Sequence, residues 1–200
     1  MAAVLPTKGN LMAAKRSRSL AQTGYELMDR KRNILIREIM ALMERAKTVQ
    51  EQIDTVFTEA YAALQRANID LGVCDRIAEA VDLDDSLEIQ YRSVMGVELP
   101  HIPEHPLPFR PGYGFAFTSS ALDDCYMKFR KVKELTRQLA EVETSIYRLA
   151  DSIKKSQKRA NALENIVIPG FNETIRVITD ALEEKEREEF VRLKVIKQQM

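Results

Sequence analysis

The sequence predicts a mainly α protein: a long antiparallel two-helix coiled coil with a small β-hairpin in the middle. Three observations carry this. Apolar residues recur in heptads through the first third of the chain and again from Val132 onward. Between the two runs the apolar period falls from about 3.5 residues to about 2. Five of the seven prolines cluster between Pro100 and Pro111, inside that middle stretch.

The first helix is read from Leu11 in steps of seven: Leu11, Arg18, Tyr25, Arg32, Ile39, Ala46, Ile53, Ala60, Ala67, Cys74. The companion positions are Ala14, Ala21, Met28, Leu35, Leu42, Val49, Val56, Ala63 and Asp70. Only Arg18, Arg32 and Asp70 depart from apolar character. No proline interrupts residues 11–78. A seam this long at this period marks a left-handed coiled coil. Sixty-odd residues at about 1.5 Å each give a helix roughly 100 Å long. Asn10 is the expected N-cap, with Pro6 upstream.

The middle alternates. Leu87, Ile89, Tyr91, Ser93, Met95, Val97 and Leu99 share one side of an expected strand. Tyr113, Phe115 and Phe117 share one side of a second. Each reads as a strand with one buried face. The prolines make the stretch between them a loop, and at about twelve residues it is long for a hairpin connection. Ser120 followed by Asp123 is the expected cap of the second long helix.

That helix carries the seam Val132, Leu135, Leu139, Val142, Ile146, Leu149, Ile153, Ser156, Ala160, Leu163, Val167. Pro169 and Gly170 then intrude, and both weaken a helix. The apolar stripe resumes at Phe171, Ile175, Ile178 and Leu182, which makes the junction a stutter in the heptads. One kinked helix and two helices with a short break both fit. The organisation is therefore an N-terminal helix over 1–78, a hairpin and proline-rich loop over 79–120, and a C-terminal helix over 121–200. Setting Cys74 opposite Cys125 gives a trial register. It brings Lys15, Arg16 and Arg18 near Asp180, Glu183 and Glu184.

Composition excludes more than it selects. Net charge is zero over 200 residues, so the whole chain has no pull toward nucleic acid or a membrane surface. Charge is nonetheless uneven. Lys8, Lys15, Arg16, Arg18, Arg30, Lys31, Arg32 and Arg37 make the N-terminal end basic, and Glu79 to Glu104 is acidic. Such blocks belong to solvated faces or partner contacts. Two cysteines do not make a disulfide scaffold and fit a reducing compartment. No apolar run is long enough to cross a bilayer. No signal peptide is expected, because the N-terminus lacks an apolar core.

No catalytic, cofactor or metal site is expected. Thr7-Lys8-Gly9-Asn10 lacks the Gly-x4-Gly-Lys-Ser/Thr pattern of a phosphate loop. His101 and His105 are four apart, but Pro103 and Pro106 forbid the helix that would bring them together. Cys74 and Cys125 have no histidine nearby and read as buried thiols. The run Glu183 to Glu189 reads as a solvated face with intrahelical pairs, or as a docking surface. Arg18 and Arg32 either snorkel out of the seam or face a partner.

The quoted segments resemble the D subunit of the V/A-type (vacuolar/archaeal-type) rotary ATPases and ATP synthases, in its prokaryotic form. At the N-terminus the likeness rests on Pro6-Thr7-Lys8, Asn10-Leu11, Lys15, Gly24-Tyr25 and Lys31-Arg32. At the C-terminus it rests on Asn161-Ala162-Leu163-Glu164, Ile168-Pro169, Thr174-Ile175, Glu186 to Glu189 and Arg192-Leu193-Lys194. The Tyr113 to Ser120 segment with Leu122-Asp123 is also similar. Lys158-Arg159-Ala160 stands where the family usually has Arg-Arg-Val. Gly170 stands where a longer side chain is usual.

The resemblance implies a non-catalytic central rotor stalk. Its paired helices would enter the cavity of a hexamer of A and B subunits, where ATP is hydrolysed or made. Its lower part would bind the F subunit and rest on the C socket subunit (named d in eukaryotes) above the membrane ring. It would be cytoplasmic and peripheral to the membrane, with no direct membrane insertion. Lys8, Lys15, Arg16, Arg18, Arg30, Lys31 and Arg32 would face the hexamer cavity through weak polar contacts. Tyr91, Tyr113, Phe115 and Phe117 would serve the membrane-facing base and the F subunit. The coupling ion, H+ or Na+, and the working direction are set in other subunits. Two rival readings stand beside this one: a coiled-coil arm that grips RNA, and a passive coiled-coil tether. The first would show a steep loss of RNA binding with salt. The second leaves the hairpin and the Asn161 to Pro169 motif without a purpose.

Overall fold

The structure is a computed structural model that describes residues 5–81, 87–103, 112–114, 116 and 118–199. The fold class is the one the heptads predict, two long helical runs around a small two-stranded antiparallel sheet. Helix α1 spans Lys8–Leu71 without interruption. A four-residue helix α2, Asp75–Ala78, follows. Strands β1, Gln90–Val94, and β2, Val97–His101, form the sheet. Helix α3 spans Ser120–Ala162. It passes through a π-helical turn, Leu163–Val167, into α4, Ile168–Gln199.

Helix α1 is capped by Thr7 rather than Asn10. The Asn10 N–H donates to Thr7 Oγ1 at 3.2 Å. The Asn10 side chain reaches back to the Leu5 carbonyl at 2.8 Å. The cap thus moves three residues upstream, and the Asn10 side chain ties the start of the helix to Leu5, which precedes it. The far end of α1 stops at Gly72, whose φ of 78° suits the left-handed position after a helix.

The second helical run does not break at Pro169. The Ile168 N–H donates to the Leu163 carbonyl, five residues back. That shift to π bonding absorbs the stutter and precedes the residue that has no N–H to give. The helix continues to Gln199.

The hairpin differs most from expectation. The alternating run Leu87–Leu99 is not one strand. It folds in half at Met95 and Gly96, whose φ values are 51° and 76°. Two positive φ values in a two-residue loop make the turn type that matches strand twist. Val94 then faces Val97, and Tyr91 faces Pro100. Pro100, expected in the loop, is in β2, where a two-stranded sheet has only edges and a missing donor costs nothing. The described residues between Gly112 and Ser119 form no strand, and Phe115 and Phe117 lie outside the described residues. Nor does Ser120 cap α3. The carbonyl of Ser119 takes the Leu122 N–H at 3.0 Å, and Asp123 bonds to Tyr113 instead.

The chain divides into two compact units. Unit 2 comprises Leu35–Ser152. Its core joins Val49, Ile53, Val56 and Ala60 of α1 to Val132 and Leu135 of α3. A second cluster joins Ala63, Ala67 and Cys74 to Tyr113, Leu122 and Cys125. Low numbers meet high ones, so the helices run antiparallel. Unit 1 comprises Met1–Ile34 and Ile153–Met200. Its buried residues are Ala14, Ala21, Ser156, Ala160 and Ile178.

Candidate interaction surfaces

Among the described residues no cluster of His, Cys, Asp and Glu could hold a metal ion. Among the same residues no helix is long and apolar enough to cross a membrane. His101 Nδ1 lies 3.2 Å from Glu141 Oε1, while His105 falls outside the described residues. Cys74 and Cys125 are free and buried in one cluster. Burial, and then the neighbouring Cys74, push the Cys125 thiol above its usual range. A thiol held neutral in this way is a poor nucleophile. The features that remain are surfaces.

The first surface is the basic N-terminal end, in unit 1. Lys8 is exposed and pairs with Glu186 at 3.1 Å. Lys15, Arg16 and Arg18 are exposed and make no ion pair among the described residues. The trial register that set them near Asp180, Glu183 and Glu184 is off by five residues at Lys8–Glu186 and by ten at Arg32–Gln157. It would put Arg32 opposite Val167, whereas Arg32 bonds to Gln157. The reason is local. Cys74 lies in the turn beyond the end of α1, not on the helix, so pairing it with Cys125 says nothing of the helix register.

Arg18 and Arg32 occupy the same heptad position but have different fates. Arg18 points to solvent. Arg32 is half-buried, donates through Nη1 to Gln157 Oε1 at 2.7 Å and pairs with Asp29. Asn33 Nδ2 donates to Asp29 at 3.1 Å, and Gln157 Nε2 to Asn161 at 2.7 Å. Next along the seam, Glu164 holds the Tyr25 phenol above its usual range, chiefly by charge. A polar layer thus crosses unit 1 just before the π turn. Charge-assisted, mutually satisfied bonds of this kind fix one register at some cost in stability.

The second surface is the far end of α4. Lys8 opens α1 and pairs with Glu186, so α4 beyond that point has no partner helix among the described residues. Phe190 is 69% exposed and Leu193 66%, with Val191, Val195 and Ile196 also exposed. The acidic run before them is taken up by Arg187 with Glu183 and Glu184, and by Arg192 with Glu188. Sequence reading missed this apolar end. The signal was there: apolar residues continue past Leu182, at Phe190, Val191, Leu193, Val195 and Ile196.

The third surface is the hairpin, in unit 2. It is clamped to the helices rather than set at the turn between them. Arg92 bonds to Glu38 at 2.7 Å. The Ile102 N–H donates to Glu141 at 2.8 Å, and Arg148 donates to the Glu98 carbonyl at 3.0 Å. The Arg148 guanidinium also stands 5.4 Å over the Tyr91 ring. Glu38 lies roughly nine helical turns before the end of α1. The hairpin therefore lies well along the helices, away from their turn. Leu99 is buried beneath it, while Leu87, Ile89, Tyr91 and Met95 are exposed. Of the four aromatics expected on a shared partner surface, Tyr91 is exposed at 58%. Tyr113 is instead a core residue. Its hydroxyl donates to Asp123 at 2.7 Å, and it packs edge-on to Tyr126. Burial, helped by Asp123, raises its phenol pKa.

The family model for the ATP synthase D subunit matches residues 10–198 of the chain. The chain is 45% identical to the V-type ATP synthase D subunit of Thermotoga neapolitana, over 98% of both chains. It is 39% identical to the A-type ATP synthase D subunit of Pyrococcus furiosus, over 97% of this chain and 93% of that one. The A-type D subunit of Methanosphaera stadtmanae is 36% identical, with 96% of this chain and 92% of that one covered.

Proposed function

The chain belongs to the family of ATP synthase D subunits, and we propose that it is the central rotor stalk of a V/A-type rotary ATPase. It is a structural subunit and not a catalytic one. In this reading it transmits torque between the catalytic A/B hexamer and the membrane ion-translocating ring. The observation that carries the reading is the unbroken helical ladder on both sides of the seam. Helix α1 runs 64 residues without a gap, and α3 passes into α4 through the π turn as continuous helix despite the donor missing at Pro169. A lever needs such continuity, because a break in either helix would absorb twist. A passive tether has no need of it.

Unit 1 enters the hexamer cavity. Its bare apolar α4 end seats in the lining, and Lys8, Lys15, Arg16, Arg18, Arg30 and Lys31 meet polar groups around it. Arg32 serves the interior instead. The faces of a two-helix pair are not equivalent. Each orientation therefore contacts the three catalytic pairs differently and favours a different conformation in each. The turn end of unit 2, around Leu71 to Val81 and the start of α3, faces the C/d socket subunit. The F subunit packs against unit 2, with Tyr91 and the exposed hairpin residues as part of its seat. The chain then sits at the membrane periphery on the cytoplasmic side, as a component of the complex.

The test is reconstitution. The purified chain is expected to hydrolyse no ATP. Added with the F subunit to an A/B hexamer, it is expected to change turnover and to rotate under a bead assay. ATPase activity of the pure chain that disappears on one point substitution would defeat the reading. So would a hexamer whose turnover is indifferent to the chain.

A further inference from the structure

Two runs of positive charge that are far apart in sequence meet at one level of unit 1. Arg32 bonds to Gln157 at 2.7 Å, and a Cβ on Gly24 would stand 3.7 Å from Leu163 Cδ1. These contacts fix α1 against the opposing helix. Arg30 and Lys31 lie within a turn of Arg32, and Lys154, Lys155, Lys158 and Arg159 within a turn of Gln157. All are exposed except Lys31, which is half-buried. Arg30, Lys31, Lys154, Lys158 and Arg159 have no ion-pair partner among the described residues. Four acids stand at this level against the six cations: Glu26 lies four residues before Arg30, Asp151 four before Lys155. Asp29 is held by Arg32 and Asn33, and Glu164 faces Tyr25.

Like charges crowd together within the α3 run. Lys154 and Lys158 are four apart on α3, as are Lys155 and Arg159, and like charges at that spacing destabilise a helix. The same helical run pairs opposite charges at that spacing elsewhere: Asp124 with Lys128, Arg176 with Asp180, Glu183 with Arg187. Like charges also meet at that spacing in Lys133 with Arg137, Asp180 with Glu184 and Glu184 with Glu188; two cationic pairs stand side by side at the level where the basic run of α1 arrives. The polar layer inside that level holds the two runs together.

We infer that these six cations form a belt that takes a carboxylate-rich protein segment, namely acidic side chains on the inner wall of the hexamer. The inference rests on the stalk reading above. A belt one to two turns deep suits a local cluster of carboxylates. A nucleic acid tracking along the pair would run into Glu183, Glu184, Glu186, Glu188 and Glu189.

The experiment uses the full chain carrying Lys158→Glu with Arg159→Glu, titrated onto a reconstituted A/B hexamer at rising salt. The double variant is expected to bind at least about tenfold more weakly at low salt, with a shallower salt dependence than the parent. Its melting temperature alone is expected at or above that of the parent, because two like-charge contacts have gone. Lys47→Glu with Lys131→Glu, an equal charge change in unit 2, is expected to leave affinity within about twofold. Equal affinity and equal salt slope for the belt variant and parent would overturn the belt and leave the stalk role standing. A parent chain that fails to bind the hexamer would overturn the stalk reading itself. Tighter binding of the parent to a structured RNA than to the hexamer, lost in the variant, would assign the belt to nucleic acid. A belt variant that melts lower than the parent would remove the like-charge argument.

Discussion

The two units use the same helical pairing, yet their interiors are unlike. Unit 2 buries Leu35, Leu42, Val49, Ile53, Val56, Val132, Leu135, Val142 and Leu149 along the helices and adds Leu99 beneath the hairpin. In unit 1 the buried apolar residues are Ala14, Ala21, Ala160 and Ile178. Three of those four are alanines, which remove little apolar surface from water. Where unit 2 has a packed layer, unit 1 has Arg32, Gln157 and Asp29. Unit 1 also leaves Phe190 and Leu193 bare. Unit 2 is therefore stable on its own contacts. Unit 1 buries less apolar surface of its own and is held in register by that polar layer.

The largest test of this contrast is truncation of the core. Leu149→Ala in unit 2 removes a fully buried side chain and is expected to cost about 2–5 kcal/mol in denaturant unfolding. Ile178→Ala in unit 1 is expected to fall at the low end of that range, since its half-exposed neighbours can close the gap. Equal losses at the two sites would erase the distinction.

Alkaline pH sharpens the comparison. Tyr113 and Cys125 lie in unit 2 and, like the more exposed Tyr25 of unit 1, have folded pKa values above their unfolded ones. A raised acid favours the folded state while it stays neutral. That contribution is whole below the unfolded values, about 8.5 for Cys and 10 for Tyr. It is lost as pH rises toward the folded ones. Unfolding curves between pH 8 and 11 are expected to show falling stability that Tyr113→Phe with Cys125→Ala largely flattens. Stability that instead rises with pH would contradict the sign.

A smaller effect with reversed sign is expected at the polar layer. Arg32→Met with Gln157→Leu and Asp29→Leu replaces the paired polar groups together by apolar ones of similar size. It is expected to leave the melting temperature unchanged or raise it by a few degrees. Register is expected to suffer. Cysteines introduced at Gly24 and Leu163 would crosslink less completely in that background. The smallest change is Met95→Gly. Met95 sits at φ 51° in the hairpin turn, and relief there is expected to stabilise unit 2 by about 0.5–1 kcal/mol.

Most of the fold was legible in the sequence because the seam obeys one period. Residues placed on it by counting sevens, such as Leu35, Val49 and Ala60, are among the most buried. The hairpin was legible as a presence and not as a place. The alternation of Leu87 to Leu99 hid a turn that needs two positive φ values, and only Gly96 advertised one. Register was not legible, since sliding by whole turns keeps an apolar seam apolar. It took the Arg32–Gln157 contact to fix it. Residue-type reading put Tyr113 with the surface aromatics, whereas the nearby Asp123 offered its hydroxyl a buried partner. The apolar end of α4 escaped notice because a seam residue looks the same with or without a partner opposite.

Hydrogen exchange on the chain alone and then bound in the A/B hexamer tests the central claim most directly. Residues 8–34 and 153–199 are expected to exchange quickly when free and to gain strong protection on assembly. Residues 49–67 and 122–135 are expected to be protected in both states and to change little. Protection that appears in unit 2 instead, or a unit 1 already as protected when free, would contradict the account.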